Sequence, residues 1–399
     1  MTLKPGCRIP VRGLHHPPNL KGMETMLQTP PAVPGMREDE IDTPALVIDL
    51  DAFEYNLDHM AAMLAPTGVK LRAHAKTHKS PVIAKLQMTR GAVGQCVQKV
   101  TEAEILAWGG IPDILVSNQV VGASKLARLC ALSSIAKVAV CVDDPQQVAW
   151  IESAAADSGR RMTVLVEIDV GAARCGVPAG PAAVELAKQI AASKHLIFGG
   201  LQAYQGSAQH KRTVTERRTL IGTAVDAARR TVEQLRQQGL DCPIVGGAGT
   251  GTFQIESHSG IYTEMQCGSY VFMDADYARN LDEAGKPVST FRHALFVLAT
   301  VMSAPHTGLA VLDAGHKAVS IDSGMSTVWS KPDICYVSAS DEHGKLDVGS
   351  ETTMPKLGEK LRLVPGHCDP TVDRHDWYVG VRNGRVESLW PVAARGGMA

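Results

Sequence analysis

The sequence lacks a charge excess of either sign, with 40 Lys and Arg against 41 Asp and Glu. Nucleic acid and anionic membrane surfaces are bound through a basic surplus, so neither is expected as a partner. No apolar stretch approaches the roughly 18 residues that cross a bilayer. The opening segment "MTLKPGCRIPVRGLHHPPNLKGM" lacks the apolar centre of a secretory signal. Paired cysteine spacings are missing as well: nine cysteines, an odd number, lie scattered along the chain. That distribution suits reduced thiols better than a disulfide frame, and places the protein in the cytoplasm. Internal repeats and low-complexity tracts are also absent.

What remains is a rhythm. Residues 1–40, rich in proline and glycine, read as an extended arm. From "TPALVIDLDAFEYNLDHMAAML" onward, short apolar runs alternate with amphipathic stretches such as "DPQQVAWIESAAADSG" and "ERRTLIGTAVDAARRTVEQLRQQG". Strands are expected at about 69–75, 92–98, 113–117, 137–142, 162–169, 196–203, 243–247 and 262–267. Continuous apolar strands separated by helices imply parallel pairing, buried on both faces. Eight of them predict a (β/α)8 barrel over 41–279, with an open doubly wound sheet as the alternative. After about residue 280 helical periodicity fades. Runs such as "HALFVLATVMSAP" and "DWYVGVRNGRVESLWPV" predict a mostly β domain over 280–399, with "RNGR" as a hairpin turn.

Chemistry in such a barrel sits at the C-terminal strand ends, and the polar exceptions fall there: His74 and Lys76, Gln98 and Lys99, Asn118, Glu167, Asp169 and Arg174, Tyr204 and His210. Lys76, at a barrel mouth near an arginine, is expected to have a depressed pKa and to attack a carbonyl. A lysine that reaches solvent or pairs with Glu167 is the plainer account. Lys79 lies past the strand end and is the weaker nucleophile candidate. "GGAGTGT" at 246–252 has four glycines and two threonines, which let backbone N–H groups approach an anion. It lacks the ending of a Walker loop, and a tight turn accounts for it equally well. With "GSY" at 268–270 it matches the phosphate site that barrels build from their last two strand loops. Phosphate there and a lysine on the neighbouring first strand suggest pyridoxal phosphate. In "HCDPTVDRHD", an extended His367-x-Asp369 would put an imidazole and a carboxylate on one face, a plausible pair for a divalent metal. An Asx turn before Pro370 or a capped histidine explains the segment as well.

Taken together, "RAHAKTHK", "IDVGAARCGV", "LQAYQGSAQH", "GAGTGT", "TEMQCGSYVFMDADY" and "PGHCDPT" resemble the D-threonine aldolase group, which includes 3-hydroxy-D-aspartate aldolases and is related to eukaryotic-type D-serine dehydratases. The resemblance spans about residues 40–395. It implies an alanine-racemase-like fold, pyridoxal 5'-phosphate, a divalent metal, a small D-3-hydroxy-amino acid as substrate, and a homodimer. Residue by residue it implies Lys76 as the Schiff-base lysine, Arg174 near the cofactor's phenolic oxygen, Tyr204 in the cofactor pocket and His210 as a base. It further implies Thr250, Gly251, Thr252, Gly268, Ser269 and Tyr270 around the phosphate, and His367 and Asp369 on the metal. The dehydratase relatives carry His-x-Cys at the last pair. Asp369 therefore favours the aldolase branch, and a carboxylate suits manganese or magnesium where a thiolate suits zinc. The leaving aldehyde is acetaldehyde for a threonine enzyme and glyoxylate for a 3-hydroxyaspartate enzyme. Lys99, His316 and Arg374 are candidates to hold the extra carboxylate of the latter. A dehydratase of the same fold, a racemase and a non-catalytic pyridoxal-phosphate carrier are the competing functions.

Overall fold

Strands that are apolar along their whole length need cover on both faces, and the chain supplies it by interleaving helices. The computed structural model describes residues 28–399. After a first strand, β1 (Ala45–Asp49), come β2 (Lys70–His74), β3 (Gly94–Val97), β4 (Asp113–Gln119), β5 (Lys137–Val142) and β6 (Met162–Asp169). They are followed by the two-residue β7 (Val177–Pro178), β8 (Leu196–Gln202), β9 (Ile244–Gly247) and β10 (Glu264–Met265). Every pairing from β2 to β10 is parallel, and β5 also pairs with β6, so eight of these strands close into a barrel with β7 attached outside. The expected (β/α)8 barrel is therefore present, with its strands at the expected positions.

Side chains alternate along each strand, so the barrel interior fills in layers. At the bottom, Arg72 donates to Glu264 at 2.7 and 3.0 Å and to Asp113 at 2.6 Å. Cys96, Leu115, Cys141 and Leu165 form an apolar plug above. Above the plug the interior becomes polar again, with His74, Gln98, Ser117, Gln202 and Gln266. The last two exchange amide hydrogen bonds at 2.7 and 2.8 Å. The plug closes the barrel from below, so the polar upper layer forms the floor of a site.

The second domain comprises β11 (Leu295–His306), β12 (Leu309–Leu312), β13 (Thr327–Val328), β14 (Ile334–Ala339), β15 (Gly344–Val348), β16 (Lys360–Val364), β17 (Trp377–Arg382) and β18 (Arg385–Pro391). The first six close an antiparallel ring in the order β11–β12–β15–β14–β13–β16. Asn383 and Gly384, both at positive φ, make the tight turn of the β17–β18 hairpin, as "RNGR" predicts.

One segment differs from the expectation. β1 falls inside the stretch assigned to the barrel, yet it lies between β11 (antiparallel) and β17 (parallel) in the second sheet. Ala45 and Val47 pack there with Leu298, Val379, Val381 and Val386. The expected strands do not include 45–49, and a short apolar run such as "ALVID" does not name the sheet it joins. The arm expected over 1–40 lies outside the described residues as far as residue 27. Beyond that, Glu38 pairs with Arg362 of β16 at 2.6 and 2.7 Å, which fastens residues 28–40 to the β domain.

Candidate active site

Lys76 sits in the turn that follows β2. That turn is held rigidly. His78 is buried, its Nδ1 accepts the Ser80 N–H at 3.1 Å, and its carbonyl accepts the Tyr378 hydroxyl at 2.7 Å. His74 is buried too, and its Nδ1 faces the Lys76 N–H at 3.4 Å while Nε2 meets Gln98 and Ser117. Burial first, and then the Lys76 charge, holds His74 well below the usual imidazole range, so it is neutral.

The Lys76 ammonium forms an ion pair with the Asp369 carboxylate. The expectation of a depressed lysine pKa is corrected here. Burial does act to lower it, but the adjacent carboxylate outweighs burial and holds the ammonium above its ordinary value. Conversely, burial acts to raise the Asp369 pKa, and the Lys76 and then the His367 charges hold it well below the carboxylate range.

Asp369 arrives from the β domain. The loop after β16 docks on the segment after the barrel: Ala275 N–H donates to Pro365 O at 2.9 Å, and Cys368 N–H to Asp274 Oδ2 at 3.1 Å. The extended conformation expected for His367-x-Asp369 is also corrected. His367 is extended, but it caps a short helix, Cys368–Val372, and Asp369 lies in that helix's first turn. Pro370 fits there because a first-turn residue needs no N–H partner. His367 Nδ1 meets Asp322 Oδ2 at 2.8 Å, which leaves Nε2 as the ring's free ligand atom. Among the described residues no group of three or more His, Cys, Asp or Glu side chains gathers as a metal cage. The imidazole and carboxylate would therefore hold an ion with the remaining positions left to water or substrate.

A cavity opens beside Lys76, lined among others by His74, Arg174, Tyr204, Thr250, Gly268 and Ser269. In its walls the Thr77 and Thr250 hydroxyls are buried without a partner. A Cβ on Gly268 would collide with Thr77 Oγ1 and lie 3.0 Å from His74 O, and one on Gly249 would lie 2.5 Å from Gln209 Oε1. Orphaned hydroxyls beside glycines that admit no side chain fit an anion such as a phosphoryl group.

Not every expected residue contributes a side chain to this cavity. The Thr252 hydroxyl is bonded to Glu256 and Gln209, both at 2.8 Å, and the Gly251 N–H donates to Gln209 Oε1 at 3.0 Å. The Tyr270 ring is buried against Phe291, and its hydroxyl accepts from Gln87 at 3.2 Å. Arg174 lies over the Tyr204 ring, 5.4 Å from its centroid, and 3.9 Å from Glu167. His210 does not line the cavity; its ring lies 5.9 Å from that of Tyr277, which does, and its Nδ1 is 2.5 Å from Asp276 Oδ2. Sequence reasoning missed Asp276, Tyr277 and Asp322. The first two lie inside the quoted "MDADY", but nothing local marks either as a partner of His210 or a wall of the cavity.

Residues 48–276 match the alanine racemase N-terminal domain family, and residues 294–381 a serine dehydratase domain family. A 3-hydroxy-D-aspartate aldolase of Paracoccus denitrificans (strain Pd 1222) is 49% identical over 370 residues, covering 92% of this chain and 95% of that protein. A D-threonine aldolase of Arthrobacter is 45% identical over 367 residues, covering 92% and 96%. Among solved structures, the D-threonine aldolase from Filomicrobium marinum superposes with a TM-score of 0.90 at 48% identity, over 92% of this chain and 100% of that one. The D-threo-3-hydroxyaspartate dehydratase from Delftia sp. HT23 reaches 0.80 at 28% identity, over 89% and 98%.

Proposed function

Because the chain belongs to the alanine racemase N-terminal domain family, in the company of the D-threonine and 3-hydroxy-D-aspartate aldolases, we propose that it is a carbon–carbon lyase that cleaves D-3-hydroxy-amino acids to glycine and an aldehyde. One observation carries the reading: the Lys76 amine and the Asp369 carboxylate, from different domains, meet beside a cavity whose wall holds an unpartnered Thr250 hydroxyl.

The residues fit pyridoxal phosphate. Lys76 would hold its carbonyl carbon, Thr250, Gly268 and Ser269 its phosphate, and Arg174 and Tyr204 would flank the ring. The cofactor supplies the sink for the electron pair released when a bond to Cα breaks. His367 and Asp369 fit a divalent ion, manganese or magnesium by the hardness of the donors, whose charge acidifies a substrate hydroxyl.

The chain's own residues do the rest. Asp276 accepts the Nδ1–H of His210 and so leaves Nε2 bare. His210 Nε2 takes the proton of the β-hydroxyl. The oxygen's electrons form the aldehyde C=O as the Cα–Cβ bond breaks, and a proton then returned to Cα yields glycine. The apolar plug beneath the site excludes water from below.

Product analysis tests the reading. The purified protein is incubated with D-threonine and with each 3-hydroxyaspartate isomer, with and without manganese. Glycine with acetaldehyde or glyoxylate is the expected outcome. Oxaloacetate and ammonia instead would make the protein a dehydratase. The same reading carries the homodimer and the cytoplasmic location expected from the sequence, and light scattering on the eluted protein checks the first.

A further inference from the structure

Asp276, next in sequence to the cavity-lining Tyr277, is the hub of a cluster of basic side chains. Besides His210, its Oδ1 accepts from Arg212 Nη2 at 2.5 Å and from Arg279 Nη2 at 2.6 Å. One carboxylate thus faces two guanidinium groups and an imidazole, and the cluster carries a positive surplus. Arg212 is committed: its Nη1 also donates to Asp276 O at 2.8 Å and to Asn280 Oδ1 at 2.9 Å. Arg279 is not. Both of its hydrogen bonds leave from Nη2, the second going to Ser323 O at 2.8 Å. Among the described residues its Nε and Nη1 carry none, and its side chain is 53% exposed.

The placement of this guanidinium is specific. Its Nη2 donates both to Asp276, the partner of His210, and to the carbonyl of Ser323, whose hydroxyl is 3.4 Å from His367 Nδ1. It therefore bridges the candidate base and the candidate metal pair, the two groups that would meet the substrate's β-hydroxyl. Gly324, at φ +120, lies against it. A Cβ there would stand 3.5 Å from both Nη1 and Nη2, in ordinary contact with the fork, so it is the backbone angle that calls for glycine.

We propose that Arg279 reads a carboxylate borne on the substrate's β-carbon, so that a D-3-hydroxy dicarboxylic amino acid is preferred to D-threonine. The proposal rests on the retro-aldol reading of the site. A carbon whose hydroxyl lies between His210 and His367 presents its remaining substituent to this bridge. A carboxylate there takes two N–H groups from a planar fork, and a methyl group takes none. The sequence candidates for this role are less well placed. Arg374 is already engaged, donating to His316 O at 2.8 Å and to Pro370 O at 2.5 Å, and among the described residues no hydrogen bond joins Lys99 or His316 to Asp276, Ser323 or His367.

D-Aspartate and D-2-aminobutyrate differ at this substituent and lack the hydroxyl needed for cleavage. Their dissociation constants are measured on the holoenzyme, from the change in cofactor absorbance, for the wild type, Arg279→Met and Arg279→Lys. For D-aspartate the constant should rise about 30-fold in Arg279→Met, the effect of losing a charge-assisted pair. It should rise less in Arg279→Lys, which keeps the charge but not the fork, and by under threefold for D-2-aminobutyrate in both variants. The ratio of kcat/KM for 3-hydroxy-D-aspartate to that for D-threonine should fall in parallel. Equal weakening of both analogues overturns the proposal and reduces Arg279 to a brace for Asp276, and unchanged D-aspartate binding overturns it outright. Should the wild type cleave neither hydroxy-amino acid yet bind D-aspartate through Arg279, the carboxylate site stands and the aldolase reading falls.

Discussion

Replacing Glu256 by glutamine should stabilise the protein, and only above a defined pH. Glu256 lies on the short helix after the glycine loop and is 1% exposed. Its Oε1 accepts the Thr252 hydroxyl, but Oε2 has no partner. Burial pushes the carboxyl up from about 4.5 to about 7, against the smaller lowering by Thr252. A group whose folded pKa is raised contributes full stability below its unfolded pKa and loses it as pH rises through the folded one. At about 1.4 kcal/mol per pH unit, the interval from about 4.5 to about 7 corresponds to about 3 kcal/mol. Glutamine has the same shape and no charge to desolvate. Glu256→Gln should match the wild type near pH 4.5, gain steadily to pH 7, and remain about 3 kcal/mol more stable above it. The difference matters because the wild-type curve alone hides the slope. Buried His78, lowered by burial to about 4, contributes in the opposite sense, losing stability as pH falls from about 6.5 towards 4. Urea midpoints of variant and wild type by circular dichroism, at four pH values from 4.5 to 8, give the difference directly. A gap that is flat with pH, or widest in acid, would refute the argument.

Three further outcomes follow from the site. Lys76→Ala should abolish the visible band of bound cofactor and reduce turnover by more than about 10³-fold, read by absorbance and product formation. Asp369→Ala should keep that absorbance and lose about 10²-fold or more in turnover, with EDTA inhibiting the wild type and manganese restoring it; full activity in EDTA would contradict the metal assignment. Asp276→Asn, which no longer fixes the His210 tautomer, should lower kcat for D-threonine, which has no β-carboxylate for Arg279, about 10²-fold with KM within threefold, and a loss confined to KM would remove His210 from the role of base.

The barrel was legible because its signal is local. A buried parallel strand is apolar along its length, and the helix that follows carries its own period, so β4, β5 and β6 emerge from sequence within a residue or two. Partners separated in sequence were not legible. β1, "ALVID", is not among the expected strands, and β11 and β17, which pair with it, lie some 250 or more residues downstream. The charge state expected for Lys76 was reversed for the same reason: the ion that sets it lies far along the chain. His367 and Asp369 read as a metal pair by residue type alone, and their expected extended backbone gives way to a helical turn at Pro370. Arg279 and Asp322 carry no motif at all. They matter through what they touch.

The Lys76–Asp369 pair spans 293 positions. A ribosome making this chain completes the whole barrel before the carboxylate has been synthesised. Until then the amine has no counter-ion from the second domain, and the loop bearing it lacks the Tyr378 hydroxyl that anchors His78. Truncation between the end of the barrel and residue 369 thus yields a barrel with its lysine but without that lysine's counter-ion. Nonsense variants that end in the β domain before residue 369 should be null for catalysis even where the barrel itself folds.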